Sequence, residues 1–233
     1  QQSADKWRSC QDYSSVLNRR VATSPFTLPS VWDVRKVVKP TSFFGKYDLR
    51  DGFWSVPVAA ASRHHLMVRH PATGQLLRCT SLPFGYALSP LHFCDVTESV
   101  ASVLRRRCVG LGVHVFVFVD DFLIVGDTQE ATAEGMRRFE ELLAELRLPW
   151  APHKLRGPAR VIEFLGFLLV NSPDQQCVAL TASRQRRMID LIDSWLARRP
   201  GEGATASAEP LELAQLLGHL VFISDVVPCG RTY

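Results

Sequence analysis

The sequence predicts an α+β fold built on an antiparallel sheet, and three observations carry that expectation. Segments of strand character and segments of helical period follow one another in the order strands, helix, hairpin, helix, hairpin, helices. Several strand pairs are joined by turn-sized links. The composition is that of a globular chain able to bury its own core, with 233 residues, 46% of them hydrophobic and 21% charged.

Ser30 can cap a short helix over residues 30–38 that Pro40 stops, and residues 43–49 follow as a strand. Residues 66–69 and 76–80 alternate around Pro71-Ala-Thr-Gly74, the composition of a hairpin turn. Ser89-Pro90 offers a capping hydroxyl and a proline for the first helical position. Val96, Val100, Val103 and Leu104 then recur at helical spacing up to Arg105, Arg106 and Arg107. Residues 115–119 and 122–125 are β-branched and aromatic runs with only Asp120-Asp121 between them. Met136, Phe139, Leu143 and Leu146 form a second helical stripe led by Thr128 and Glu130. Residues 161–170 and 176–180 read as another hairpin. Met188, Ile192 and Trp195, then Leu213, Leu217 and Leu220, mark two terminal helices, with residues 200–210 as a flexible linker between them.

Charge is uneven along the chain. Residues 1–50 carry nine basic against four acidic side chains, residues 101–150 six against eight, and residues 151–200 eight against four, within a net charge of +4. Two basic regions around an acidic middle suit a nucleic-acid-binding chain, although a solvated surface explains either region alone. The three arginines at 105–107 complement a helix end as readily as they contact nucleic acid. Six scattered cysteines without zinc spacing read as buried thiols of a reducing, intracellular compartment, cytoplasmic or nuclear rather than secreted. No apolar run approaches the ~20 residues of a membrane span. Beginning at Gln1 rather than Met, the chain reads as a fragment of a longer product.

The chemistry lies in the carboxylates. Asp120-Asp121 is an expensive choice for a hairpin turn, because like charges ~4 Å apart repel by about 4 kcal/mol at an effective dielectric of ~20. Divalent cations would turn that repulsion to use. A solvated Asp-Asp turn is the plainer reading of the pair alone, as a turn residue is for Asp48 at the end of the first strand. Together, three acids would suit two ions, one activating a hydroxyl and the other a leaving pyrophosphate.

Three segments in order carry a family resemblance: residues 47–57 (YDLRDGFWSVP), 82–90 (LPFGYALSP) and 118–121 (FVDD). They are similar to the first three palm motifs of retroelement reverse transcriptases. Residues 146–154 resemble the following loop, 163–167 (EFLGF) the primer grip, and Lys6-Trp-Arg8 with Asp12-Tyr13 and Leu17-Asn18 the fingers strand. Together these ordered motifs are specific where any one is weak. The tail, from Leu180 through Gly218-His-Leu220 to Gly230-Arg231, is similar to the region after the palm in tyrosine-recombinase (DIRS-like) retrotransposons. Phe118 stands where the family usually has Tyr, Cys94 stands for Gln, and one extra residue separates Asp12 from Asn18.

The resemblance implies a right-hand polymerase. Residues 1–42 would be a fingers segment, and 43–170 a palm with an inserted fingers hairpin near 60–82 and a primer grip at 161–170. Residues 171–233 would form a partial thumb. It implies that Asp48, Asp120, Asp121 and the Leu49 carbonyl hold two Mg²⁺ or Mn²⁺ ions, and that Lys154 protonates the pyrophosphate. Arg8, Asp51, Gly52, Phe53, Phe84 and Gly85 would form the nucleotide site, and Phe164, Leu165 and Gly166 would support the primer. The implied partners are an RNA or DNA template with primer, dNTPs, and RNase H and recombinase domains of one polyprotein. The alternatives are an inactive nucleic-acid-binding remnant and an RNA-directed RNA polymerase on the same palm, which Phe53 disfavours.

Overall fold

In the computed structural model, which describes residues 10–198, 208–224 and 226, the chain divides into two units, residues 1–159 and 160–233. Among the described residues the first unit contains α1 (Val31–Arg35), β1 (Phe43–Asp48), the hairpin β2 (Met67–Arg69) and β3 (Leu76–Arg78), and α2 (Ser89–Arg107). It continues with β4 (Val113–Phe118), β5 (Asp121–Gly126), α3 (Gln129–Glu145) and β6 (Arg156–Ala159). The strands assemble into a four-stranded sheet in the order β4-β5-β1-β6, every neighbour antiparallel. Sequence periodicity missed β6, whose Gly157 and Pro158 are poor strand formers.

One face of the sheet carries α2 and α3. Tyr47, Phe122 and Ile124 point to that side and are fully buried with Phe139, Leu104 and Leu143. The Tyr47 ring meets Phe139 edge-on at 4.9 Å, and its hydroxyl donates to Glu140 Oε1 at 2.7 Å. Residues of the opposite parity on the central strands, Lys46, Asp48 and Asp121, therefore share the other face.

Local signals acted as expected at two helix starts. Ser30 and Asp33 form a reciprocal capping box on α1, and Thr128 caps α3 through the Ala131 N–H. α1 is shorter than expected, ending at Arg35 rather than Val38. At α2 the cap is Leu88; Ser89 is already helical and buried, and its hydroxyl donates instead to the Pro83 carbonyl at 2.7 Å. Arg105 and Arg107 at the end of α2 pair with Glu98 and Glu145, so two of the three arginines serve the protein itself. Cys94 and Cys108 are buried, whereas Cys10 is exposed; Cys229 lies outside the described residues.

In the second unit β7 (Val161–Phe164), β8 (Phe167–Asn171) and β9 (Gln176–Leu180) form an antiparallel meander, followed by α4 (Ala182–Leu196) and α5 (Pro210–Ser224). The long run at 161–170 is thus itself a hairpin, broken at Leu165 and Gly166, both with positive φ. Residues 200–207 of the expected linker lie outside the described residues, and Pro210 already opens α5. The apolar stripes of the two terminal helices are only partly buried. Met188 is buried, while Leu213 and Leu217 are exposed, because a helix apolar on most sides cannot bury every side against one neighbour. Among the described residues no helix is long and apolar enough to cross a membrane.

Candidate active site

The three acids meet at one end of the four-stranded sheet. Asp48 stands directly opposite Asp121 across β1 and β5. The Leu49 N–H donates to the Asp120 carbonyl at 2.9 Å, which makes 48/121 the non-hydrogen-bonded kind of pair, whose side chains lie closest. Like charges so placed are destabilising. Phe118 pairs with Asp121, so Val119 and Asp120 are the turn and Asp121 opens β5, a shift of one residue from the turn expected. Val119 has φ 58°. For a β-branched residue that conformation costs on the order of 1–3 kcal/mol, strain of the kind that persists at functional sites.

A second strand-like contact completes the rim. Leu49 bridges Trp150, with the Ala151 N–H on the Asp48 carbonyl at 3.0 Å and the Arg50 N–H on the Pro149 carbonyl at 2.8 Å. This pattern turns Leu49's own carbonyl to the Asp120 side. It also brings the 3₁₀ turn Pro152–Lys154 alongside, and Lys154 Nζ donates to Asp48 Oδ2 at 2.7 Å. Lys46 Nζ stands 3.2 Å from Asp121 Oδ1, near enough for an ion pair but off the line of a hydrogen bond.

Burial pushes the Asp120 carboxyl above the usual carboxylate range, and the charges of Asp121 and Asp48 add to the push while Lys154 opposes it. Burial also raises Asp121, against the pull of Lys46. The donor set is oxygen only, partly buried, and includes an Asp121 oxygen without a hydrogen bond, which fits hard divalent cations. Among the described residues no three acid, His or Cys side chains converge tightly enough to hold an ion as they stand; lysines neutralise Asp48 and Asp121 instead.

Beside the acids lies a ring cluster. Asp51, at φ 61°, and Gly52 begin the 3₁₀ turn Gly52–Ser55, which sets Phe53 between Phe84 at 4.8 Å and Phe93 at 5.3 Å. Asp51 pairs with Arg50 at 3.3 Å in solvent. Gly85 has φ 92°, and a Cβ there would lie 1.8 Å from the Gln11 carbonyl oxygen, so only glycine lets the two backbones meet. Arg8 lies outside the described residues.

Residues 4–169 match the family described as Reverse transcriptase (RNA-dependent DNA polymerase). The chain belongs to the reverse transcriptase family. It is 27% identical over 202 residues to the Gag-Pol polyprotein of avian reticuloendotheliosis virus, covering 79% of this chain and 17% of that polyprotein. It is 23% identical over 161 residues to the Pol polyprotein of transposon 412 of Drosophila melanogaster, covering 69% and 12%. The chain therefore spans under a fifth of the polyproteins it resembles. In fold it is similar to the foamy viral protease-reverse transcriptase solved in complex with double-stranded DNA. The TM-score is 0.71 at 21% identity, over 97% of this chain and 35% of that one. Such neighbours bear out the right-hand polymerase fold.

This reverse transcriptase domain holds two contributors that the sequence reading did not single out. Lys46 appeared only as one residue of a strand. Asn18 was quoted only as part of a motif, yet its side chain clamps the loop of Gly85: Nδ2 donates to the Gly85 carbonyl and the Ala87 N–H donates to Oδ1, both at 2.9 Å. Neither lysine nor asparagine carries a local signal for such a partner, since the contacts span almost seventy residues in one case and cross a sheet in the other. Asn18→Ala is expected to lower stability by about 1–2 kcal/mol in chemical denaturation. Asn18→Asp, which sets a carboxylate oxygen against the Gly85 carbonyl, should be no more stable than Asn18→Ala.

In the second unit Phe164 is fully buried, which leaves Leu165 and Gly166 at the turn. Leu165, at φ 53°, is another apolar residue held in the left-handed region.

Proposed function

We propose that the chain is the polymerising part of a reverse transcriptase, adding deoxynucleotides to a primer 3′-hydroxyl on an RNA or DNA template. The convergence of Asp48, Asp120 and Asp121 with Lys154 on one end of the sheet carries this reading. Two Mg²⁺ ions, or Mn²⁺, supply the Lewis-acid chemistry when bound, lowering the pKa of the primer hydroxyl and stabilising the leaving pyrophosphate. Asp48, Asp120, Asp121 and the Leu49 carbonyl are their holders. Lys154, freed from Asp48, donates a proton to the pyrophosphate. Arg8 grips the incoming phosphates, Phe53 borders the sugar beside Asp51 and Gly52, and Phe84 and Gly85 border the base. Leu165 and Gly166, with Phe164 as their buried support, hold the primer.

Residues 1–42 and the hairpin near 60–82 are fingers, the rest of 43–170 is palm, and 171–233 is partial thumb. The foamy viral enzyme was solved with double-stranded DNA and with an RNA/DNA hybrid, which supports a primed template as partner. The polyprotein relatives support a retroelement setting with companion domains, of which an RNase H is the one we propose. The tail motif supports placement among DIRS-like elements, whose companion is a tyrosine recombinase.

Primer extension on matched RNA and DNA templates with Mg²⁺ tests the reading. The expected result is dNTP-dependent extension on RNA that is lost on chelation. Template binding without extension, in a folded protein, would favour the inactive remnant.

A further inference from the structure

Each outer acid has its own lysine, and the two lysines are unlike. Lys154 reaches Asp48 from an exposed turn with 49% of its side chain accessible, so it can swing away at little cost. Lys46 rises from the middle of β1, two residues before Asp48 and on the same face. Its neighbours across the ladder are Leu123 on β5 and Arg156 on β6. Its side chain is 21% accessible, and its ammonium lies 3.2 Å from an Asp121 oxygen that is buried and accepts no hydrogen bond. A buried carboxylate left without compensation is costly, and a lysine anchored on a central strand stays where it is.

We propose that Lys46 is a built-in counter-ion of Asp121 that sets how tightly the acid cluster holds divalent cations. Asp48 and Asp120 are then the principal ligands and Asp121 a partly neutralised one. The inference rests on the assignment of the acids as a cation site. Its physical content is a charge count. With Lys154 displaced and Lys46 in place, three carboxylates face an incoming cation less one fixed positive charge. A cation that must leave with each pyrophosphate is better held by that reduced charge than by three bare carboxylates.

The probe is Mn²⁺ alone, titrated into the full chain without nucleotide or nucleic acid and followed by electron paramagnetic resonance. Lys46→Met removes the charge while keeping most of the stem, Lys46→Gln does so with a polar end, and Lys46→Arg keeps the charge. Mn²⁺ affinity should rise roughly ten-fold in Lys46→Met and Lys46→Gln, the order of effect that one unit charge a few ångströms away exerts in a partly solvated site. It should stay within about two-fold in Lys46→Arg. Asp121→Asn should weaken Mn²⁺ binding several-fold more in the Lys46→Met background than in wild type, because Asp121 is a full ligand only there. Melting in EDTA reports which variants fold. Unchanged or weaker Mn²⁺ affinity in a folded neutral variant overturns the counter-ion proposal. A wild-type chain with no Mn²⁺ site sensitive to Asp48→Asn overturns instead the cation-site assignment beneath it.

Discussion

Asp120→Asn is expected to cut primer extension by roughly a hundred- to ten-thousand-fold while leaving template binding nearly intact. The same change should raise the melting temperature of the metal-free protein. The two signs have one origin. Burial, with Asp121 and Asp48 nearby, pushes the Asp120 carboxyl above its ordinary value of 3.8, so the folded state carries a charge it would rather not hold. An acid raised on folding leaves stability unaffected below its unfolded pKa. As pH climbs from 3.8 through the raised folded value, the folded state binds more protons than the unfolded one and stability is lost. Above the raised value the whole penalty is present, and Asn removes it. Comparing melting curves of wild type and Asp120→Asn from pH 4 to pH 8 in EDTA reads this group together with its coupling to Asp121 and Asp48. The difference should be small at pH 4 and grow with pH. Near-normal turnover in Asp120→Asn would sink the two-metal assignment, and a variant less stable at pH 8 would sink the burial argument. Asp48→Asn should match the loss of activity, but its stability gain should be smaller, because it also gives up the 2.7 Å contact with Lys154.

The acid pair illustrates what a linear sequence can disclose. Two β-branched runs separated by Asp-Asp have no other economical fold than a hairpin, so the location of the acids was legible from pattern alone. Which of the two acids belongs to the turn was not. The choice of Val119 and Asp120 requires a valine in the left-handed region, a conformation that local propensity argues against and that only surrounding structure can impose. Long-range partners were equally hidden. The bridge from Leu49 to Trp150 that brings Lys154 to Asp48 joins segments a hundred residues apart, and no periodicity reports on it. The same limit applies at Ser89, where serine followed by proline has the form of a helix cap, yet a tertiary partner, the Pro83 carbonyl, took the hydroxyl inside the helix. Motif order therefore located the three acids, while the structure supplied their lysine partners and the Asn18 clamp.

Phe53→Val is expected to raise the use of ribonucleotides relative to deoxynucleotides by roughly five- to a hundred-fold, the equivalent of about 1–3 kcal/mol of relieved crowding at a rigid wall. Rigidity is the premise, and the ring cluster supplies it. Phe53 is half-buried, backed at 5.3 Å by Phe93, which is 1% exposed, and flanked at 4.8 Å by Phe84. A ring so braced cannot yield to a 2′-hydroxyl by rotating away. The same bracing means that Phe53 is a packing residue as well as a wall. Losing two ring contacts, each worth ~0.5–1.5 kcal/mol, should lower stability by about 1–3 kcal/mol. The two roles separate in measurement. A purely structural role lowers kcat/KM for both sugars in proportion and leaves their ratio fixed, whereas a wall changes the ratio at any level of overall activity. Matched ribo- and deoxynucleotide kinetics on wild type and Phe53→Val, below the melting temperature of the variant, read that ratio directly. Phe53→Leu keeps more of the packing and should fall between them in stability and in discrimination. An unchanged ratio in the folded variants would remove Phe53 from the sugar site and leave DNA synthesis without its structural argument over RNA synthesis on the same palm.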